Sequence, residues 1–151
     1  MTIVITMAGL GSRFKKAGYT VPKYMIEAHG KTLFEWSMES LAGFELSKNT
    51  CIFIVRKEDG AAGFIEENCR NLGILKVKVI EIDYLTDGQA TTAMLAAGEW
   101  DKEDSLMIYN IDTYVEAGQM NASQIEGDGF IPCFHADGDH WSFAKLSEDG
   151  R

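Results

Sequence analysis

The feature that most constrains this chain is an order of segments. Short β-branched apolar runs alternate with stretches of helical period, and the first run breaks directly into a glycine-rich basic loop. Residues 2–7 (Thr-Ile-Val-Ile-Thr-Met) form the opening run and predict a buried strand; AGLGSRFKK follows at once. A helical pattern over residues 33–41 precedes a strand at 51–55. A helical stretch at 60–72 precedes the alternating run 77–82, and a third at 91–100 precedes a strand at 105–109. Strands separated by helices at this spacing cannot be joined as hairpins. They predict crossovers and a mainly parallel sheet, a Rossmann-like three-layer α/β/α arrangement in a single domain spanning residues 1–151. A hydrophobic content of 46% is enough to fill the core such a sheet needs.

In a parallel sheet of this kind ligands bind where the strands end. Three segments fall there: the loop after the first strand, LTDGQATT at residues 85–92, and Asn110-Ile111-Asp112. Charge singles out the first. Arg13, Lys15, Lys16, Lys23 and Lys31 stand against Glu27 alone within residues 1–31, a local +4 in a chain whose net charge is -9. An acidic body with one cationic focus excludes a nucleic-acid polymer as partner and suits a compact phosphorylated ligand. The opening run is too short to span a membrane and lacks the basic start of a leader, so no membrane association is expected. Cys51, Cys69 and Cys133 are widely spaced and read as reduced thiols of a cytoplasmic protein.

The loop matches neither familiar glycine motif. Phe14 stands where a dinucleotide fingerprint needs its third glycine, and the Gly-Lys-Ser/Thr of a Walker A loop is missing. What remains is Gly9-Leu10-Gly11-Ser12-Arg13, in which the glycines let backbone N–H groups approach phosphate oxygens and Arg13 can add a bidentate grip.

MAGLGSRF, then PKYMIEAHGKTLFEW, then TDGQATTA and the strand-end NID together resemble the nucleotide-binding part of the sugar-1-phosphate nucleotidyltransferases, the NDP-sugar pyrophosphorylases. The match runs in order along essentially the whole chain. The resemblance implies that the amides around Ala8, Gly9, Leu10, Gly11 and Ser12 cradle a nucleoside triphosphate. It implies that Arg13 and Lys23 act on its phosphates as catalytic cations, that Gly88 lies against the nucleobase with Gln89 and Thr92 adding polar contacts, and that Asp112 holds Mg²⁺. Thr86 or Asp87 is also suited to cap a helix there. The substrates implied are a nucleoside triphosphate and a sugar 1-phosphate, commonly for capsule or lipopolysaccharide precursors. A nucleotide-sugar-dependent glycosyltransferase would carry Asp-x-Asp where this chain has Asn-Ile-Asp; a noncatalytic nucleotide-binding module is the other alternative.

Three further expectations concern other segments. His29 falls in a tight turn ahead of residues 33–41. Phe134-His135-Ala136-Asp137-Gly138-Asp139-His140-Trp141 reads as a polar hairpin loop between strands at 129–134 and 141–146, rather than as a metal site. Asp149-Gly150 then begins a turn whose return strand is missing, as in an N-terminal fragment. The sugar-phosphate half would lie beyond it, and an unpaired strand edge would favour a homo-oligomer.

Overall fold

The computed structural model describes residues 1–139, 142–145 and 147. Four strands, β1 (Thr2–Thr6), β4 (Thr50–Arg56), β5 (Lys76–Ile82) and β6 (Leu106–Asn110), form one sheet in the order β5-β4-β1-β6. Every pairing is parallel, with Ile3 beside Cys51 and Met107 and Phe53 beside Val79. All four strands therefore end at the same edge. Two short strands, β2 (Glu27–Ala28) and β3 (Lys31–Thr32), form a separate hairpin. His29 and Gly30 make its two-residue turn with φ of 53° and 79°, the doubly left-handed geometry such turns require.

Helices cover both faces. Alternation along β1 points Ile3, Ile5 and Met7 to one side, where they pack with Phe34 and Met38 of α2 (Leu33–Glu39) and Ile65 and Cys69 of α3 (Ala62–Asn71). Val4 and Ala8 point to the other side and meet Ala93 of α4 (Gln89–Met94), Ala96 beyond it, Ile52 and Ile54. This is the three-layer arrangement the alternation predicts. The helix α2 starts where it does because Thr32 and Glu35 form a capping box. The Glu35 amide donates to Thr32 Oγ1 at 3.2 Å, and the Thr32 amide donates to Glu35 Oε2 at 2.7 Å. Burial of Cys51 and Cys69 pushes both thiols up to about 12, whereas Cys133 is exposed; all three are free.

The structure corrects the sequence reading in three places. The third helix occupies Gln89–Met94, and residues 95–100 are a series of turns. Its N-cap is Gly88 with no side-chain cap bond, so neither Thr86 nor Asp87 caps it. Residues 129–134 and 142–145 form no strand, and Ile131 and Phe143 are 78% and 69% exposed. Strand propensity is realised only through a ladder with a neighbour, and the described sheet pairings end at β6. His140, Trp141, Leu146 and the Asp149-Gly150 turn lie outside the described residues.

One backbone approach is close enough to test. A Cβ on Gly43 would lie 2.4 Å from the Met120 carbonyl oxygen and 2.9 Å from Asn121 Cα. Gly43→Ala is expected to lower stability by about 1–3 kcal/mol, as overpacking does, measured by urea unfolding. An unchanged midpoint would mean that residues 120–122 are not held against Gly43.

Candidate active site

The glycine loop is built around the stem of Lys23. β1 is buried through Met7 and Ala8, and the chain surfaces at Gly9. Gly11, at φ 59°, is the left-handed N-cap of α1 (Ser12–Lys16), a conformation that glycine adopts without steric cost. The Lys23 side chain lies alongside this turn: the Cβ positions of Gly9 and Gly11 lie 3.9 Å from Lys23 Nζ and 3.8 Å from Lys23 Cβ, at ordinary van der Waals contact. Lys23 itself opens a 3-10 turn, Lys23–Met25, with Pro22 at its N-cap and Tyr24 buried behind it. Proline sets the backbone that aims the lysine, and Tyr24 pins it to the core.

Asp112 arrives from the other side. It follows β6 and the buried Ile111, and the segment carrying it is tied to α2. Thr113 O accepts hydrogen bonds from Ser37 Oγ at 3.0 Å and Tyr109 OH at 2.8 Å, and the Val115 amide donates to Ser40 Oγ at 2.9 Å. The result is an ion pair across the sheet edge: Lys23 Nζ donates to Asp112 Oδ2 at 2.5 Å. The Lys23 side chain is 16% exposed and that of Asp112 is 46% exposed.

Lys23 and Tyr24 form the wall between two cavities. The first, about 410 Å³, is polar and is lined by Gly9, Gly11, Lys15, Lys23, Glu58 and Asp59. Its two carboxylates are already engaged. Glu58 accepts from Arg56 Nη2 at 2.8 Å and lies 3.7 Å from Lys15 Nζ, and Asp59 accepts from Tyr24 OH at 2.9 Å. Burial, and then the Asp59 charge, hold the Tyr24 phenol well above its ordinary value, so it remains a neutral donor. The second cavity, about 490 Å³, lies on the Asp112 side and takes Arg13, Phe14, Trp36 and Tyr114 into its wall. Trp36 is fixed there by donating Nε1–H to Ala28 O at 2.8 Å, and Tyr114 meets it edge-on at 5.7 Å.

The sequence-predicted residues thus do not all meet in one place. Gly9, Leu10 and Gly11 line the polar cavity, with Lys23 shared. Arg13 is exposed and lines the cavity beside Asp112. Ala8 is buried against α4, and Ser12 opens α1. Gly88, Gln89 and Thr92 follow β5 at the start of α4, the helix packed on β1, and line neither cavity. The Thr92 hydroxyl is satisfied locally, 2.9 Å from Gly88 O and 2.5 Å from Thr86 Oγ1. Sequence reasoning missed Ser37 and Ser40 as anchors of the Asp112 segment. Their signal is two hydroxyls three residues apart, one on the buried face of α2 and one at its C-cap.

A parallel α/β/α sheet with a glycine loop, a fixed lysine and a strand-end aspartate at one edge is an open α/β arrangement of the class whose ligands sit at the carboxyl ends of the strands. No protein-family model matches the chain, and no curated protein does. Among solved structures, the chain is 42% identical to a nucleoside-diphosphate-sugar pyrophosphorylase from Vibrio cholerae RC9, over 99% of this chain and 63% of that one, with a TM-score of 0.86. It spans less than two thirds of that protein. An inositol-1-phosphate CTP transferase from T. maritima (20% identity, 74% of this chain and 43% of that chain, TM-score 0.58) shares the fold. So does a UDP-glucose pyrophosphorylase from Acinetobacter baumanii (18%, 78% and 47%, TM-score 0.56). These neighbours support the nucleotidyltransferase family for this chain.

Proposed function

We propose that this chain is the nucleotide-binding part of an enzyme that joins a sugar 1-phosphate to a nucleoside triphosphate, giving a nucleotide sugar and pyrophosphate. We place the reaction in the cytoplasm, in the supply of capsule or lipopolysaccharide precursors. The observation that carries the reading is the convergence of the glycine loop, Lys23 and Asp112 at one sheet edge, with Lys23 Nζ 2.5 Å from Asp112 Oδ2. An oxygen of the sugar phosphate forms the new bond to the α-phosphorus. The bond from that phosphorus to the bridging oxygen breaks, and pyrophosphate leaves with the bonding electrons. No protein nucleophile is needed, so the chain's task is alignment and positive charge. The amides of residues 8–12 and Lys15 hold the phosphate tail in the polar cavity. Lys23 stands at the wall beside the phosphorus under attack, and Arg13 grips phosphate oxygens from the Asp112 side. Gly88, Gln89 and Thr92 are assigned to the base.

Asp112 fits a hard divalent cation. Among the described residues no three His, Cys, Asp or Glu side chains gather into a metal cluster. A single carboxylate completed by phosphate oxygens and water is the ligand set Mg²⁺ usually accepts. Bound there, Mg²⁺ would neutralise charge on the phosphates.

The test is calorimetric titration of the four common nucleoside triphosphates with Mg²⁺ into this chain, beside a pyrophosphate-release assay with glucose 1-phosphate. At least one triphosphate is expected to bind, and Arg13→Ala to weaken it about tenfold, the worth of a charge-assisted contact. If no triphosphate binds, the reading fails. If the folded variant binds as the parent does, Arg13 has no role in it.

A further inference from the structure

Without ligand, the cation on Asp112 is the chain's own. Lys23 Nζ is 2.5 Å from Oδ2, on a stem that supports Gly11 and is held by a proline before it and a buried tyrosine after it. The other acidic groups of the adjoining cavity do not compete for this ammonium, because Glu58 and Asp59 are engaged by Arg56, Lys15 and Tyr24. Mg²⁺ sits about 2.0–2.1 Å from a carboxylate oxygen. It would therefore stand next to an ammonium bound to the same group, and like charges at that range repel strongly even when partly solvated. We propose that Lys23 masks the cation site at Asp112, and that the triphosphate unmasks it by drawing the ammonium into the polar cavity.

This rests on the reading of Asp112 as the metal ligand and adds a property to it. Lys23 borders both cavities, so its ammonium can exchange Asp112 for phosphate oxygens without the backbone moving. Metal and triphosphate then favour one another through the lysine, beyond the chelation they share in solution, and the coupling is reciprocal. The masking also disfavours an idle metal ion on the site.

The experiment measures Mn²⁺ binding to the ligand-free chain by loss of the free-ion electron paramagnetic resonance signal. It compares the parent, Lys23→Met, Lys23→Gln, Lys23→Arg, Asp112→Asn and the Lys23→Met/Asp112→Asn double variant, each checked for folding by circular dichroism. Methionine keeps the stem against Gly11 and removes the charge, and glutamine serves if methionine disturbs the fold. Lys23→Met or Lys23→Gln is expected to bind Mn²⁺ on the order of tenfold more tightly than the parent. Lys23→Arg is expected to stay at the parent's level, and the double variant to lose the gain. If the neutral variants bind no better than the parent, including no binding by any of them, the masking is overturned. If the double variant keeps the full gain, the metal is not on Asp112, and the reading of the site falls with it. A drop on Asp112→Asn alone, with no gain on Lys23→Met, leaves Asp112 as the ligand and removes only the mask.

Discussion

Asp112→Asn is expected to make triphosphate binding indifferent to Mg²⁺ while leaving the fold intact. Among the described residues at the end of β6 the Asp112 carboxylate is the acidic side chain, and amide oxygen is a poor substitute for it toward a hard dication. Removing even an outer partner of a bound metal costs about 10- to 100-fold, so loss of the ligand should remove at least that much of the Mg²⁺-dependent gain. Stability should change little. Asp112 is half exposed, its pair with Lys23 is open to solvent on that side, and such pairs contribute about 0–1 kcal/mol. Metal-free triphosphate binding should hold or improve in the variant, because Lys23 then has no carboxylate to leave. Calorimetry with and without Mg²⁺ reads both effects. A variant whose affinity still rises with Mg²⁺ would move the metal to another carboxylate.

The periodicities carried the sheet because they are local. β1, β4, β5 and β6 each fall within a residue or two of their apolar runs, and Thr32 with Glu35 marks the start of α2 in four consecutive residues. Pattern failed where the deciding contact is distant. Residues 129–134 (Gly-Phe-Ile-Pro-Cys-Phe) make a strand-like apolar run, but such a run does not supply a ladder partner, and Pro132 has no amide to donate to one. Residues 12–16 follow Gly9 and Gly11 and read as loop, yet the left-handed turn at Gly11 launches a short helix, with the Phe14 and Lys15 amides donating to Gly11 O.

The site divides along the same line. Gly9, Gly11, Lys23 and Asp112 were legible because each residue type is unusual at its position. That Lys23 reaches Asp112, 89 residues away, was not, since only the parallel order brings the end of β6 beside β1. The anchoring of residues 111–115 by Ser37, Ser40 and Tyr109 was equally hidden. In a sequence, hydroxyls on a helix's apolar face are indistinguishable from ones satisfied by their own backbone.

That anchoring makes α2 the lever between core and site, and Phe34→Ala the substitution with the largest expected effect on stability. Phe34 is fully buried and packs its ring against Phe53 of β4 at 5.7 Å and Phe64 of α3 at 5.5 Å. It joins the sheet to both helices of that face. Truncation leaves a cavity that three elements would have to move together to fill, so the cost should fall in the upper range for aromatic core deletions, about 3–5 kcal/mol. Urea unfolding should show the midpoint shift with an unchanged slope. The effect should also reach Asp112, because Ser37 lies on the same helix, about one turn from Phe34, and Ser40 is its C-cap. Hydrogen exchange at the Val115 amide, which donates to Ser40, should accelerate by more than global destabilisation accounts for. A loss below about 1 kcal/mol, which the core-deletion range excludes, would show that the ring is not the junction of the three elements. A full loss of stability with exchange at Val115 following only the global change would confine Phe34 to the core and detach α2 from the site.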